Sequence, residues 1–86
     1  MYKIEWRESA LADLKNIGFT ISEKIWKRVN NYLAQDPVNL GKPLVGAYKG
    51  LYRYRAFGDW RVIYQIRKSE LQIVIVEVGH RRKVYD

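Results

Sequence analysis

Residues 48–86 read YKGLYRYRAFGDWRVIYQIRKSELQIVIVEVGHRRKVYD. Apolar and polar side chains alternate over 51–57 and again over 61–67, which is the pattern of strands with one buried face. Residues 71–78 are almost wholly apolar, as in a strand at the centre of a sheet. Because short polar connections separate the three runs, they are predicted to form an antiparallel meander.

Strand parity predicts which side chains share a face of this sheet. One face is expected to lie under helices and to hold Tyr52, Tyr54, Val62, Tyr64, Ile66, Val74, Val76 and Val78. The opposite face is expected to hold Arg53, Arg55, Arg61, Ile63, Gln65, Ile73, Ile75 and Glu77. The arginines of the first two strands therefore share a face, and the tyrosines between them are predicted to be core residues.

The residues before the meander predict one strand and a helix hairpin. Large and charged side chains alternate over 2–6, which predicts a short strand. A helix is expected over 9–16, with Gly18 as the residue just after its end. The sequence TISE at 20–23 fits a capping box for a second helix, which the Asp-Pro pair at 36–37 would end.

These elements predict an α+β fold in a single domain spanning residues 1–86. An antiparallel sheet of about four strands is expected, with the N-terminal helix hairpin packed on one face. Residues 38–46 are predicted to form a loop, because they contain a proline and two glycines.

The composition limits the kinds of site that the chain can build. There is no cysteine and a single histidine, which excludes disulfides and thiolate metal sites and argues against zinc. No metal and no cofactor are therefore expected. Residues 1–6 do not resemble a signal peptide, and no apolar run approaches the roughly 20 residues of a membrane span. These features predict a cytoplasmic protein.

The net charge of +7 is concentrated in the second half of the chain. Residues 1–48 contain 7 basic and 5 acidic side chains, whereas residues 49–86 contain 9 basic and 4 acidic ones. Such a field favours a polyanion such as nucleic acid, or an acidic protein partner. A solvated surface that promotes solubility is the alternative, and charge alone does not separate the two.

The arginines of the two alternating strands predict a phosphate-binding surface. Arg53, Arg55 and Arg61 are expected on one face, and guanidinium groups bind phosphate oxygens in pairs while staying charged. A merely solvated face is the other interpretation. It is less favoured, because lysine would solvate a face equally well.

A cationic tail follows the third strand of the meander. It contains His80, Arg81, Arg82, Lys83 and Tyr85. His80, Arg82 and Lys83 are predicted to bind phosphate or RNA, although a simple turn residue is the alternative for His80. Positive charges near a tyrosine stabilise the phenolate, so Tyr85 is a candidate general base toward a ribose 2′-hydroxyl. Its alternative is a terminal ring packed on the sheet.

Three motifs in this half of the chain resemble the RelE toxins of prokaryotic toxin–antitoxin systems. They are GAYKGLYRYR at 46–55, GDWRVIY at 58–64 and VGHRRKVY at 78–85. The order of a strand and a helix hairpin before them agrees with the RelE layout, so the resemblance covers nearly the whole chain. The chain is identified as similar to the RelE/ParE superfamily, and to its RelE branch in particular.

The resemblance implies a ribosome-dependent, metal-independent endoribonuclease that cleaves A-site codons of mRNA. The ribose 2′-hydroxyl would attack the adjacent phosphate. Arg53 and Arg55 would hold that phosphate, at positions where better-known members carry lysines. Three residues would be catalytic. Arg61 would stabilise the transition state, Arg81 would protonate or stabilise the leaving oxygen, and Tyr85 would orient or deprotonate the 2′-hydroxyl.

The resemblance also implies partners and leaves alternatives open. An acidic, RelB-like antitoxin would wrap the toxin and mask the basic site, and the complex could bind operator DNA through the antitoxin. One alternative is a ParE-like protein that inhibits DNA gyrase by binding, with no nuclease chemistry. Another is a simple nucleic-acid-binding domain that binds free RNA with a steep dependence on salt.

Overall fold

The computed structural model describes residues 1–80. Its strands are β1 (Lys3–Trp6), β2 (Lys42–Pro43), β3 (Tyr52–Phe57), β4 (Trp60–Arg67) and β5 (Gln72–His80). Its helices are α1 (Glu8–Ile17), α2 (Phe19–Asn31) and the single turn α3 (Pro37–Leu40). Short 3₁₀ turns occur at Leu33–Gln35, Gly46–Tyr48 and Lys68–Glu70. Within residues 1–80, no helix is long and apolar enough to cross a membrane.

The strands form one mixed sheet in the order β1-β5-β4-β3-β2. The antiparallel meander β3-β4-β5 and the α+β class are confirmed. Two details differ from the sequence-based expectation. Within residues 1–80 the sheet has five strands, because residues 42–43 pair with β3 instead of belonging to a loop. It is also not wholly antiparallel, because the helix hairpin carries the chain back across the sheet and leaves β1 parallel to β5.

The helix hairpin is tighter than the sequence suggested. Gly18 has φ +100°, and its N–H donates to the Leu14 carbonyl, so this one residue ends α1 and directly precedes α2. Thr20 therefore lies inside α2, where it makes no capping hydrogen bond, and the predicted capping box is wrong. The Ser22 hydroxyl instead donates to the Leu14 carbonyl and joins the two helices.

The core lies between the helix hairpin and one face of the sheet. Its buried members are Ala10, Ile25, Val29, Leu33, Ala56, Val62, Tyr64, Ile73, Ile75 and Val78. Tyr52 and Tyr54 pack against this cluster, which confirms their interpretation as core residues. Burying these side chains contributes roughly 1.5–3 kcal/mol for each large apolar group, before the loss of chain entropy.

The faces predicted for the first half of β5 are wrong. The core contains Ile73 and Ile75, which the alternation had assigned to the arginine face. The pairing steps from Ile63↔Glu77 to Tyr64↔Ile75, so Val76 is an extra residue and each side chain before it changes face.

The β5 bulge is held by the first turns of α1. The Ser9 hydroxyl donates to the Val76 carbonyl at 2.6 Å. The Val78 N–H donates to Asp13 Oδ2 at 2.9 Å. Backbone groups that a regular ladder would pair are therefore satisfied by side chains of the helix.

Candidate nucleic-acid interface

Side chains from three neighbouring strands and from α3 line a cavity of about 350 Å³ on the sheet face away from the helix hairpin. We call it the arginine pocket, and its lining residues are Leu40, Lys42, Arg53, Arg55 and Arg61. Lys42 is the register partner of Arg53, and Arg55 is the partner of Arg61. The four cations therefore form two adjacent rows across β2, β3 and β4, and the three arginines predicted to share a face do so.

The cations of the pocket differ in exposure. Arg61 is only 5% exposed, Arg53 is half-buried and Arg55 is exposed. Burying a guanidinium costs free energy, because the group stays charged at any physiological pH. A bound anion with two oxygens would offset that cost through paired, charge-assisted hydrogen bonds. Among the described residues that line the pocket, none is acidic, so the site attracts anions.

A buried tyrosine fixes the edge of the pocket. The Tyr64 hydroxyl donates to the Pro37 carbonyl at 2.6 Å, and burial raises the pKa of Tyr64, so the hydroxyl keeps its proton. A Cβ atom on Gly41 would overlap this hydroxyl oxygen. Only glycine lets the chain pass so close. This contact sets where Leu40 and Lys42, the two neighbours of Gly41, enter the pocket.

A small apolar cluster covers part of the same sheet face. Ile63 is fully buried beneath Leu44, with Tyr48 and Leu51 packed beside them. The Leu44 N–H donates to the Leu51 carbonyl at 2.9 Å, which continues the β2–β3 pairing beyond β2. The segment between α3 and β3 thus gives the arginine pocket a dry neighbour, and a lower local dielectric strengthens the attraction between cations and a bound anion.

His80 does not join the arginine pocket. It is the register partner of Trp60, while Gly79 is the partner of Arg61. Alternation therefore turns the imidazole to the helix side of the sheet. There its ring meets Trp60 edge-on at 5.3 Å, and Nε2 lies 3.9 Å from Asp59 Oδ2. His80 was predicted to act with the arginines, but the structure places it on the opposite side of the sheet from them.

The tail residues predicted to act in the site lie outside the described residues. These are Arg81, Arg82, Lys83 and Tyr85. Within residues 1–80, no group of three or more His, Cys, Asp or Glu side chains is arranged to hold a metal ion.

Comparison with known proteins identifies the family. Residues 4–85 match the family described as the ParE toxin of the type II toxin–antitoxin system parDE. The chain belongs to the RelE/ParE superfamily of type II toxins. Over 84 residues, this toxin is 30% identical to toxin RelE of Mycobacterium tuberculosis, covering 98% of the chain and 86% of the relative. It is 27% identical over 84 residues to toxin RelG of the same organism, covering 98% and 95%.

The toxin also resembles a solved toxin–antitoxin structure. The M. tuberculosis complex RelBE2 contains a chain that superposes with a TM-score of 0.87 at 28% identity. The match covers 93% of this toxin and 91% of that chain. The α+β fold is therefore that of RelE toxins.

Sequence reasoning missed two features of the toxin. The first is Lys42, which was assigned to a loop. A lysine beside a proline is a common way to protect a sheet edge, so the Lys-Pro pair was an available signal for an edge strand. The second is a separate cavity of about 460 Å³, which we call the acidic cavity. Its lining residues are Asp13, Asn16, Ile17, Trp60, Glu77, Val78, Gly79 and His80.

Glu77 is the perturbed group of the acidic cavity. Partial burial raises the pKa of the Glu77 carboxyl, and the nearby Asp13 carboxylate raises it further. Asp13 is held in place by the N–H of Val78. The toxin therefore concentrates like charges at two places, cations in the arginine pocket and carboxylates in the acidic cavity.

Proposed function

We propose that this toxin is a metal-independent endoribonuclease that cleaves mRNA codons in the ribosomal A site and thereby stops translation. The observation that carries the proposal is the arginine pocket, where Arg53, Arg55 and Arg61 line one cavity beside Lys42. The sequence similarity of the chain to toxin RelE supports the same assignment. The site of action would be the cytoplasm.

In this proposal the arginines act on the scissile phosphate. The 2′-oxygen forms a bond to phosphorus while the bond to the 5′-oxygen breaks, which leaves a 2′,3′-cyclic phosphate and a free 5′-hydroxyl. Arg53 and Arg55 hold the phosphate oxygens, and Arg61 stabilises the negative charge that develops on them. Donors fixed before the reaction need no reorganisation when this charge appears.

The tail would complete the reaction. Tyr85 orients the 2′-hydroxyl and accepts its proton, and Arg81 stabilises the leaving oxygen. Arg82 and Lys83 add contacts to the RNA backbone. An acidic, RelB-like antitoxin would silence the toxin by covering the arginine face, as suggested by the likeness to a chain of a toxin–antitoxin complex. The pair would bind operator DNA through the antitoxin.

The test is cleavage of ribosome-bound mRNA by the purified toxin. Arg61→Ala is expected to lower the cleavage rate about 10²- to 10³-fold, because one fixed donor to the transition state is lost. Arg81→Ala and Tyr85→Phe should also abolish most cleavage. The matched control is Arg67→Ala, which removes an arginine from the same strand but outside the pocket, where it bonds Gln72. Equal rates for wild type and all three site variants would refute the site.

Inhibition of DNA gyrase is the second candidate, because the family that matches residues 4–85 is described as the ParE toxin. Mapping of mRNA 5′ ends after induction separates the two functions. New ends within translated codons support the nuclease. Loss of gyrase supercoiling activity, with no new mRNA ends, supports the gyrase inhibitor.

A further inference from the structure

We propose that Lys42 is the general acid of the arginine pocket and delivers a proton to the leaving 5′-oxygen. The inference rests on the proposed nuclease function and adds a residue to it. Of the four cations within residues 1–80 that line the pocket, three are arginines and Lys42 is the one lysine. Guanidinium groups do not release their protons in proteins, whereas a lysine ammonium can. Among the pocket's described cations, Lys42 is thus the one suited to proton transfer.

The backbone position of Lys42 is fixed by the fold. Its strand, β2, pairs with β3 so that Lys42 lies beside Arg53. On one side, Gly41 packs against the buried Tyr64 hydroxyl. On the other, Leu44 is buried against Ile63. A side chain that merely protected a sheet edge would need none of these anchors, because edge protection requires charge and not a fixed direction.

Displacement at phosphorus requires a proton donor for the leaving 5′-oxygen. The attacking and leaving oxygens lie roughly in line through phosphorus, so one proton is removed on one side and one is delivered on the other. The proton of the 2′-hydroxyl goes to the general base. Lys42 Nζ gives its proton to the 5′-oxygen as the P–O bond breaks, and the neutral amine then regains a proton from water.

The experiment uses two versions of an mRNA programmed on the ribosome. One has the natural 5′-oxygen at the scissile position of the A-site codon, and the other has sulfur in its place. A thiolate leaves without being protonated, so the sulfur substrate does not need a general acid. The full-length toxin is compared with Lys42→Ala, Lys42→Arg and the control Lys49→Ala, which removes an exposed lysine that does not line the pocket.

On the oxygen substrate, Lys42→Ala and Lys42→Arg are both expected to cleave about 10²-fold more slowly than wild type. On the sulfur substrate, most of that loss should disappear, while Lys49→Ala should match wild type on both. The thermal unfolding of all variants should be unchanged, because both lysines are exposed.

Each other outcome overturns the inference in its own way. Wild-type rates for Lys42→Arg on the oxygen substrate would reduce Lys42 to a positive charge. Wild-type rates for Lys42→Ala would remove it from the site. An equal loss on both substrates would make it a positioning residue. If wild-type toxin cuts neither substrate, the nuclease function itself fails and this inference falls with it.

Discussion

The two faces of β3 and β4 are made from the same stretch of alternating arginine and tyrosine, yet they have different surroundings. Tyr52 and Tyr64 stack at 5.6 Å between ring centroids on the helix side, within the main core. Arg53 and Arg61 project to the opposite side and line the arginine pocket. Burying aromatic rings stabilises the fold, whereas burying a guanidinium group destabilises it unless an anion compensates the charge. A single strand therefore contributes to the core with side chains of one parity and to the arginine pocket with side chains of the other.

Burial alone does not distinguish these faces. Arg61 and Ile63 on the arginine face are as enclosed as many residues of the helix side. The difference lies in what covers them. Two helices cover one face, and the short segment between α3 and β3 covers part of the other. A face covered by a short segment leaves room for a cavity beside it, which is where the cations are found.

The largest expected effect on this division comes from a change in β5. Ile75→Ala should lower the free energy of unfolding by about 3 kcal/mol, because it opens a cavity in the helix-side core. Val76→Ala should cost less than about 1 kcal/mol, because Val76 is the half-buried extra residue of the bulge. Chemical denaturation of both variants measures the two values. The reverse order would mean that the alternation continues through β5 without a bulge.

Alternation in the sequence predicted the faces of β3 and β4 but not those of β5. Alternation sorted Arg53, Arg55 and Arg61 correctly, because the paired segments of β3 and β4 that hold them stay in register. It failed in β5 because the bulge depends on Ser9 and Asp13, which are more than sixty residues away in the sequence. A local pattern contains no information about such a contact.

The edge strands show a related limit. β1 was predicted as a strand, but its parallel pairing was not, because its partner β5 is distant in sequence. β2 was missed because its two residues are too few to show an alternating pattern. Lys42 was overlooked as a consequence. The sequence could supply the arginines of the site, but only the tertiary packing of Gly41 on Tyr64 shows that a lysine stands beside them.

The next largest effect is expected from a substitution at Gly41, which tests the contact between Gly41 and the Tyr64 hydroxyl. Gly41→Ala should destabilise the toxin by about 2 kcal/mol, since the new Cβ would overlap the Tyr64 hydroxyl and overpack a buried site. The same change should also slow mRNA cleavage, because it shifts Lys42. In a Tyr64→Phe background the penalty of Gly41→Ala should shrink, as the overlapping oxygen is gone. A double-mutant cycle of unfolding free energies measures this coupling. Strict additivity would show that the two residues do not touch.

The smallest effect concerns the acidic cavity and is seen as a dependence on pH. The pKa of Glu77 is raised in the folded toxin, so the folded state binds more protons than the unfolded chain between the ordinary and the raised pKa. Stability contributed by the protonated carboxyl is therefore lost as pH rises through that window. Glu77→Gln removes the loss, and should raise the free energy of unfolding at pH 7 by roughly 0.5 kcal/mol with little change near pH 4.

Thermal unfolding from pH 4 to pH 8 measures the effect, with the exposed Glu70→Gln as control. Half a kcal/mol corresponds to about 2–4 °C in a protein of this size. If Glu77→Gln lowers stability at neutral pH, the carboxylate must be stabilised there by a cation. The acidic cavity would then be a site of paired charge. If it raises stability as expected, the toxin tolerates two crowded carboxylates at the cavity while the arginine pocket attracts anions.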